Sequence, residues 1–417
     1  MEDLVQAAVL EAAEQVQDKQ NKKFNYLRGF YYKKFKAIWL VYLFTAFFSF
    51  GYGVTIPVVP LYAKSLGASY FIIGLIGAIY GFSYALAAAP LGKLSDKIGR
   101  RKVLSLSAFL SIASSLLYFI SKTAFQLLFI KVLDGIAWAA FFPSVEAAAT
   151  EVTAKPGKTM GICATLYGAG FASASIFGGV LVDYFGYKIP FLSYFIFSLA
   201  SLALTILMPS KTEKSNAISN VISNFKNEDF EKHFKGILKI ALTISFGYSF
   251  ILAMILSFFP VYGKALNWNA TLIGFFLTIF WLSRIISFIF LGALSDKLGR
   301  KIILFSTLCL SAIASLGLAY FQEKSALIVM GFILGLGLGA PFPVTIALIS
   351  DEAPSHKRGV AMGLFETASA AGQAVSPFIG GITSEILSLN TPFILCCFAA
   401  FSCALTSLKI KRKIVKP

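Results

Sequence analysis

A chain that carries the same ten residues twice, at one offset that also holds far outside them, has to fold as two related copies. Residues 92–101 read GKLSDKIGRR and residues 292–301 read GALSDKLGRK, an offset of 200. Pro60 and Pro260, Tyr62 and Tyr262, Lys64 and Lys264, Gly74 and Gly274, and Pro143 and Pro343 keep the same offset. Each copy of the stretch is wedged between apolar runs of about a membrane thickness. The stretch therefore reads as a short loop between two membrane-crossing helices, present once in each half.

Composition agrees with a bilayer as the solvent. Of 417 residues, 57% are hydrophobic and 14% charged, whereas ordinary soluble domains carry about 25% charged residues. Twelve apolar runs, 37–62, 70–91, 103–121, 124–149, 160–184, 189–208, 237–262, 270–291, 302–321, 325–349, 360–384 and 392–409, are long enough to cross at ~1.5 Å per residue. The expected fold class is an all-α membrane protein of 12 transmembrane helices. It divides into a tail (1–36), a six-helix bundle (37–208), a hydrophilic linker (209–236), a second six-helix bundle (237–409) and a short tail (410–417).

In a soluble protein the net charge of +17 would suggest nucleic acid, but its placement says otherwise. Thirty of the 37 Lys and Arg residues fall in the tails and loops of one side. Lys64, Lys122, Lys188, Lys264 and Lys324 are on the other side, and Lys131 and Arg284 lie inside spans. The basic excess is a topology signal that puts both termini in the cytoplasm and leaves no role for nucleic acid. Cys163, Cys309, Cys396, Cys397 and Cys403 sit in apolar runs without ligand-like spacing and read as packing residues. Residues 1–23 lack the apolar centre of a cleavable signal peptide, and Leu4, Val5, Ala8, Val9 and Ala12 are spaced for a short surface helix.

In the repeated stretch, Gly92, Gly292, Gly99 and Gly299 suit tight turns and close helix approach. Asp96 and Asp296 can accept from a helix N-terminus, and the trailing bases mark the cytoplasmic side. The G-x-L-x-D-x-x-G-R-[RK] pattern between the second and third helices of both halves resembles the major facilitator superfamily of secondary transporters. That resemblance implies two pseudo-symmetric six-helix bundles, a site at their interface near the midplane, and alternating access by rocking. It also implies a cytoplasmic latch: Asp96 at the start of helix eleven with Arg100 on Glu151, and Asp296 at helix five with Arg300 near Asp351. Gly51, Pro57, Val58 and Pro60 in FGYGVTIPVVP match the G-x5-P-V-x-P element of twelve-span drug:proton antiporters. These prolines are expected to end or kink the first helix. In the fourth helix, where that subfamily has Arg, Gln and Gly, this chain has Lys131, Asp134 and Gly135, an ion pair at i, i+3 spacing; Ser175 stands where its fifth-helix motif has Pro.

An ionisable group at mid-bilayer costs at least ~2.5–3.5 kcal/mol and needs a partner, a wet cavity or a task. Asp134 and Glu366 are the candidate proton-coupling groups, with Lys131 and Arg284 as their respective modulating cations; Glu146 reads as a helix-end charge. Static, neutralised pairs that hold helices together are the competing reading. Helical spacing nominates Trp138, Trp281, Gln373, Tyr80, Tyr84 and Tyr167 as the substrate cavity, suited to an amphiphilic, cationic or zwitterionic molecule. The expected function is proton-coupled efflux of amphiphilic small molecules by a monomer in the cell membrane. An uptake carrier for a small metabolite such as an organic acid, sugar or peptide, and a non-transporting sensor or scaffold, are the rivals. His233 and His356 lie in hydrophilic segments and no nucleotide loop or metal cluster is present, so neither an enzyme nor a cofactor is expected.

Overall fold

Backbone groups in hydrocarbon must be satisfied within their own segment, and the chain obeys this with helices throughout. The computed structural model describes residues 37–151, 156–208, 228–353 and 358–410. The expected surface helix of residues 1–36, most of the linker and the end of the second tail lie outside these. The elements are α1 (Ala37–Ser65), α2 (Tyr70–Ile98), α3 (Arg100–Ile120), α4 (Ala124–Glu151), α5 (Pro156–Phe185), α6 (Ile189–Leu207) and α7 (Glu228–Ala265). They continue with α8 (Ala270–Leu298), α9 (Arg300–Tyr320), α10 (Lys324–Gly339), α11 (Pro341–Glu352), α12 (Arg358–Ile386) and α13 (Thr391–Ser407). Lys324–Glu352 is one crossing, broken between α10 and α11 where Pro341 takes the first helical position of the second piece. Ten spans are long and apolar enough to cross a membrane; α12 and the shorter α13 complete twelve crossings.

The repeated stretch is not a loop. α2 and α8 run on through Lys97 and Lys297, and α3 and α9 begin at Arg100 and Arg300. The connection is a single glycine in each half: Gly99 at φ 98° and Gly299 at φ 93°, a conformation closed to ordinary L-residues. Their N–H groups donate to Ser95 O and Ser295 O and finish each helix. Gly92 and Gly292 are therefore helical, facing Pro143 and Pro343 at ordinary contact distance. Pro57 and Pro60 do not end α1 either, which continues to Ser65. Likewise α7 starts at Glu228, inside the expected linker.

The turns on the opposite side repeat as faithfully. Ser69 and Asn269 cap α2 and α8 by accepting from Ile72 N and Leu272 N, while Gly67 and Asn267 take the positive φ of each turn. In the first half α2 packs on α4, and α3 on α4 and α6; in the second half α8 packs on α10, and α9 on α10 and α13. The halves meet along two seams, α2 against α12 and α5 against α8. Phe82, Phe125, Phe129, Phe290 and Phe398, each more than 60% exposed, form part of the surface turned to lipid.

A Cβ on Gly74 would fall 2.6 Å from Gly381 Cα, and one on Gly274 would fall 2.9 Å from Ile176 Cα. Both seams are thus closed to backbone contact on the side away from Gly99 and Gly299. On the side of those glycines, Cβ atoms on Gly161 in α5 and Gly363 in α12 would meet nothing within 4 Å. No such close approach is made at these two glycines of the basic side.

Candidate functional site

Lys131 and Asp134 sit one helical turn apart in α4, where Gly135 lets α2 approach so closely that a Cβ would stand 2.7 Å from Tyr80 O. Asp134 is fully buried. Its Oδ2 accepts from Lys131 Nζ at 3.1 Å and from Tyr118 Oη at 2.8 Å, and its Oδ1 accepts from Tyr194 Oη at 3.3 Å. Lys131 Nζ also donates to Tyr52 Oη at 3.3 Å and lies 5.0 and 5.4 Å from the ring centres of Tyr52 and Tyr80. Asp134, expected as a proton-coupling group, is not on the cavity wall. Its own counter-ion stands between it and the cavity, and three tyrosines from α1, α3 and α6 close the rest of the shell.

The cavity itself, about 120 Å³, lies between the halves. Tyr80, Tyr167, Trp138, Trp281 and Gln373 all line it, as spacing suggested, together with Lys131. Tyr84 does not; it lies one turn further towards the basic side, in the electrostatic neighbourhood of Glu366 and Glu146. Spacing missed Tyr52, Phe171 and Ser257, which also line the cavity from α1, α5 and α7. Nothing in the sequence separates Phe171 from the other 41 phenylalanines, because only the packing of α5 against α8 selects it.

Phe171 stacks on Trp138 (5.6 Å between centres, 26° between planes) and on Trp281 (4.8 Å, 27°). Tyr167 meets both indoles edge-on at 5.8 and 5.9 Å. A continuous aromatic stack thus crosses from α4 of one half to α8 of the other, each contact worth ~0.5–1.5 kcal/mol beyond its buried area. Gln373 is held by donating to Ser369 Oγ at 3.4 Å, which in turn shares a 2.6 Å hydrogen bond with Ser249 of α7.

Arg284 and Glu366 do not pair among the described residues, another departure from the expected arrangement. The Arg284 guanidinium donates to Tyr248 Oη and stands 4.7 Å from the centre of the Trp281 ring, and its Nη1 has no partner among the described residues. Glu366 instead has Glu146 of α4, in the other half, as an electrostatic neighbour. Glu146, read from sequence as a helix-end charge, belongs to this acidic pair. Height along the membrane does not decide which face of a helix meets which.

At the basic ends, Arg100 bonds Glu151 at 2.9 Å and Arg300 bonds Asp351 at 3.2 Å. Asp96 and Asp296 pair with Arg100 and Arg300 at i, i+4, at 2.5 and 2.7 Å, and remain mostly exposed. In this conformation they engage the neighbouring helix of their own half.

Two fused six-helix copies that meet along two tight seams and enclose an aromatic cavity between them define a membrane carrier. The sequence profile of the Major Facilitator Superfamily matches residues 41–322 and 241–414, and the chain belongs to that family. It is a multi-pass membrane transporter and not an enzyme. It is 26% identical over 374 residues to an uncharacterised MFS-type transporter of Methanocaldococcus jannaschii, covering 85% of this chain and 92% of the relative. It is 23% identical over 375 residues to multidrug resistance protein 2 of Bacillus subtilis (88% and 92% covered). It is also 23% identical over 378 residues to a multi-drug resistance efflux pump PmrA homolog of Lactococcus lactis (86% and 91% covered). Among solved structures, the fold is similar to an inward-facing, unoccupied bacterial homolog of the human lysosomal transporter Spinster. The TM-score is 0.70 at 12% identity, over 90% of this chain and 95% of the other.

Proposed function

We propose that the protein exports amphiphilic small molecules in exchange for protons, with the basic side in the cytoplasm. The acidic pair carries this reading. Glu366 and Glu146 are electrostatic neighbours on opposite halves, and among the described residues no cation is fixed to Glu366, so the site can take up and release a proton as the halves rock. Asp134 contributes through Lys131, whose charge it balances beside the cavity. The aromatic stack supplies apolar area for a flat, greasy substrate. The relatives' names point the same way, as does the Gly51, Pro57, Val58, Pro60 element.

The cavity of about 120 Å³ is smaller than the ~300–1,000 Å³ typical of drug-sized sites, so a larger substrate is accommodated as the halves separate. The test is reconstitution of the purified protein in liposomes with an imposed pH gradient and a lipophilic dye. Dye is expected to move against the proton flux, and Glu366→Gln to reduce gradient-driven movement by ~10-fold or more while downhill exchange of dye persists. Dye moving with the protons, or Glu366→Gln retaining full gradient-driven transport, would refute this coupling.

A further inference from the structure

The first inference concerns what the cavity binds, and it rests on the reading of the chain as a carrier of amphiphiles. Trp138 and Trp281, 4% and 1% exposed, both line the cavity, and both indole N–H groups lack a hydrogen-bond partner among the described residues. Arg284, one turn beyond Trp281 and stacked on it, has an unpartnered Nη1 and no carboxylate within ion-pair distance among the described residues. Leaving a buried donor unpaired costs ~1–3 kcal/mol each, more for a charged one. Two of these donors belong to residues that line the cavity, and the third, on Arg284, lies outside the lining, one turn beyond Trp281; a ligand that extends from the cavity past Trp281 and brings acceptors and negative charge matches all three. Lys131 adds no such demand, because Asp134 already neutralises it.

We infer that the transported molecules carry an acidic group, a carboxylate, sulfonate or phosphate, which Arg284 and the two indoles receive while an aromatic body lies against Phe171 and Tyr167. This replaces the cationic or zwitterionic amphiphile expected from aromatics and a few charges. Binding of three labelled naphthalene probes to the purified protein in nanodiscs tests it: naphthaleneacetic acid, its neutral methyl amide, and cationic naphthylmethylamine. The acid is expected to bind at least ~10-fold tighter than the amide, and Arg284→Gln to abolish that preference while Arg284→Lys retains part of it. Equal binding of amide and acid, tighter binding of the amine, or an acid preference that survives Arg284→Gln would overturn the inference. The same headgroup chemistry could come from lipid, so the measurement is repeated with and without phosphatidylglycerol. Competition by that lipid assigns an anionic lipid as the occupant, and none assigns a free amphiphilic acid. No gradient is involved, so failure here is distinguishable from failure of proton coupling.

An independent observation carries a second inference, on the side away from Gly99 and Gly299. Glu385 at the end of α12 accepts from Tyr70 N at 2.7 Å and Phe71 N at 3.3 Å, the first free N–H groups of α2 in the other half. Asp183 at the end of α5 accepts from Ala270 N at 3.0 Å, Thr271 N at 2.8 Å and Thr271 Oγ1 at 2.6 Å, the same place on α8. The two acceptors are related by 202 residues and the two helix starts by 200. Each carboxylate caps a helix of the opposite half, satisfying orphan donors and meeting the positive end of the helix dipole. Each bond spans the two halves and cannot survive their separation at this end.

We propose that Asp183 and Glu385 are the paired hold that keeps this side closed and set how often it opens. The test is a distance distribution between spin labels at Lys122→Cys, in the exposed turn before α4, and Lys324→Cys, at the exposed start of α10, with the five native cysteines replaced. Asp183→Asn and Glu385→Gln are each expected to raise the open-to-closed ratio about 5-fold, and the double variant by roughly the product. Asp183→Glu and Glu385→Asp keep the charge and recover most of the closed population. A double variant with the parent's distance distribution would overturn the proposal. So would equal opening in the charge-preserving pair, which would mean that packing and not the caps had been lost.

Discussion

Asp134→Asn is expected to cost the protein on the order of 3–5 kcal/mol, the usual penalty for stripping one partner from a buried ion pair. The carboxylate is fully buried and accepts from Lys131, Tyr118 and Tyr194; the amide cannot balance the ammonium and must turn one end from acceptor to donor. Lys131 then remains as an uncompensated charge among tyrosine rings. In nanodiscs, thermal unfolding is expected ~10 °C or more below the parent. The paired change Lys131→Met with Asp134→Leu removes both charges and is expected to restore most of that loss, since apolar replacement of a buried pair is often neutral. A single variant that melts with the parent would mean that Asp134 is not the anion of this pair.

The second large effect is steric and conformational. Gly74→Val would drive a side chain into the Pro377 carbonyl and to within 2.6 Å of Gly381 Cα, and backbone atoms cannot turn aside. Gly274→Val would do the same against Ser175 and Ile176 of α5. Overpacking of this kind costs ~1–3 kcal/mol. Here it is relieved by the seams parting on the side they now close, so the open-to-closed ratio there is expected to rise by about 5- to 150-fold for each of these backbone clashes. Labels at positions 122 and 324 read the separation directly, and transport is expected to stall with the opening. Gly363→Val, where nothing stands within 4 Å, leaves that distance unchanged. If Gly74→Val gave the parent distances and full transport, the α2–α12 seam would not be the closing surface.

The two kinds of prediction draw on different levels of information. Sequence reading recognised Lys131 and Asp134 as a pair, because i, i+3 spacing on a helix is local geometry that tertiary packing cannot undo. It also found five of the six proposed cavity residues, because a helical face is set by a period of ~3.6. It did not find Asp183 or Glu385. Both sit at helix ends, where an acid is unremarkable in a chain read one segment at a time, and their partners are backbone N–H groups of the other half.

Chain order alone determined the twelve crossings, the duplication, the family and the basic side, since the cost of polar backbone and charge in hydrocarbon acts on each segment separately. The tertiary structure decided everything that depends on rotation of one helix against another. It put Lys131 rather than Asp134 at the cavity wall and Glu146 rather than Arg284 opposite Glu366. It also made the repeated stretch helix up to a single glycine in each half. Such contacts cost or gain a few kcal/mol through distances between faces, and a linear sequence records spacing along a helix but not which neighbour that face will meet.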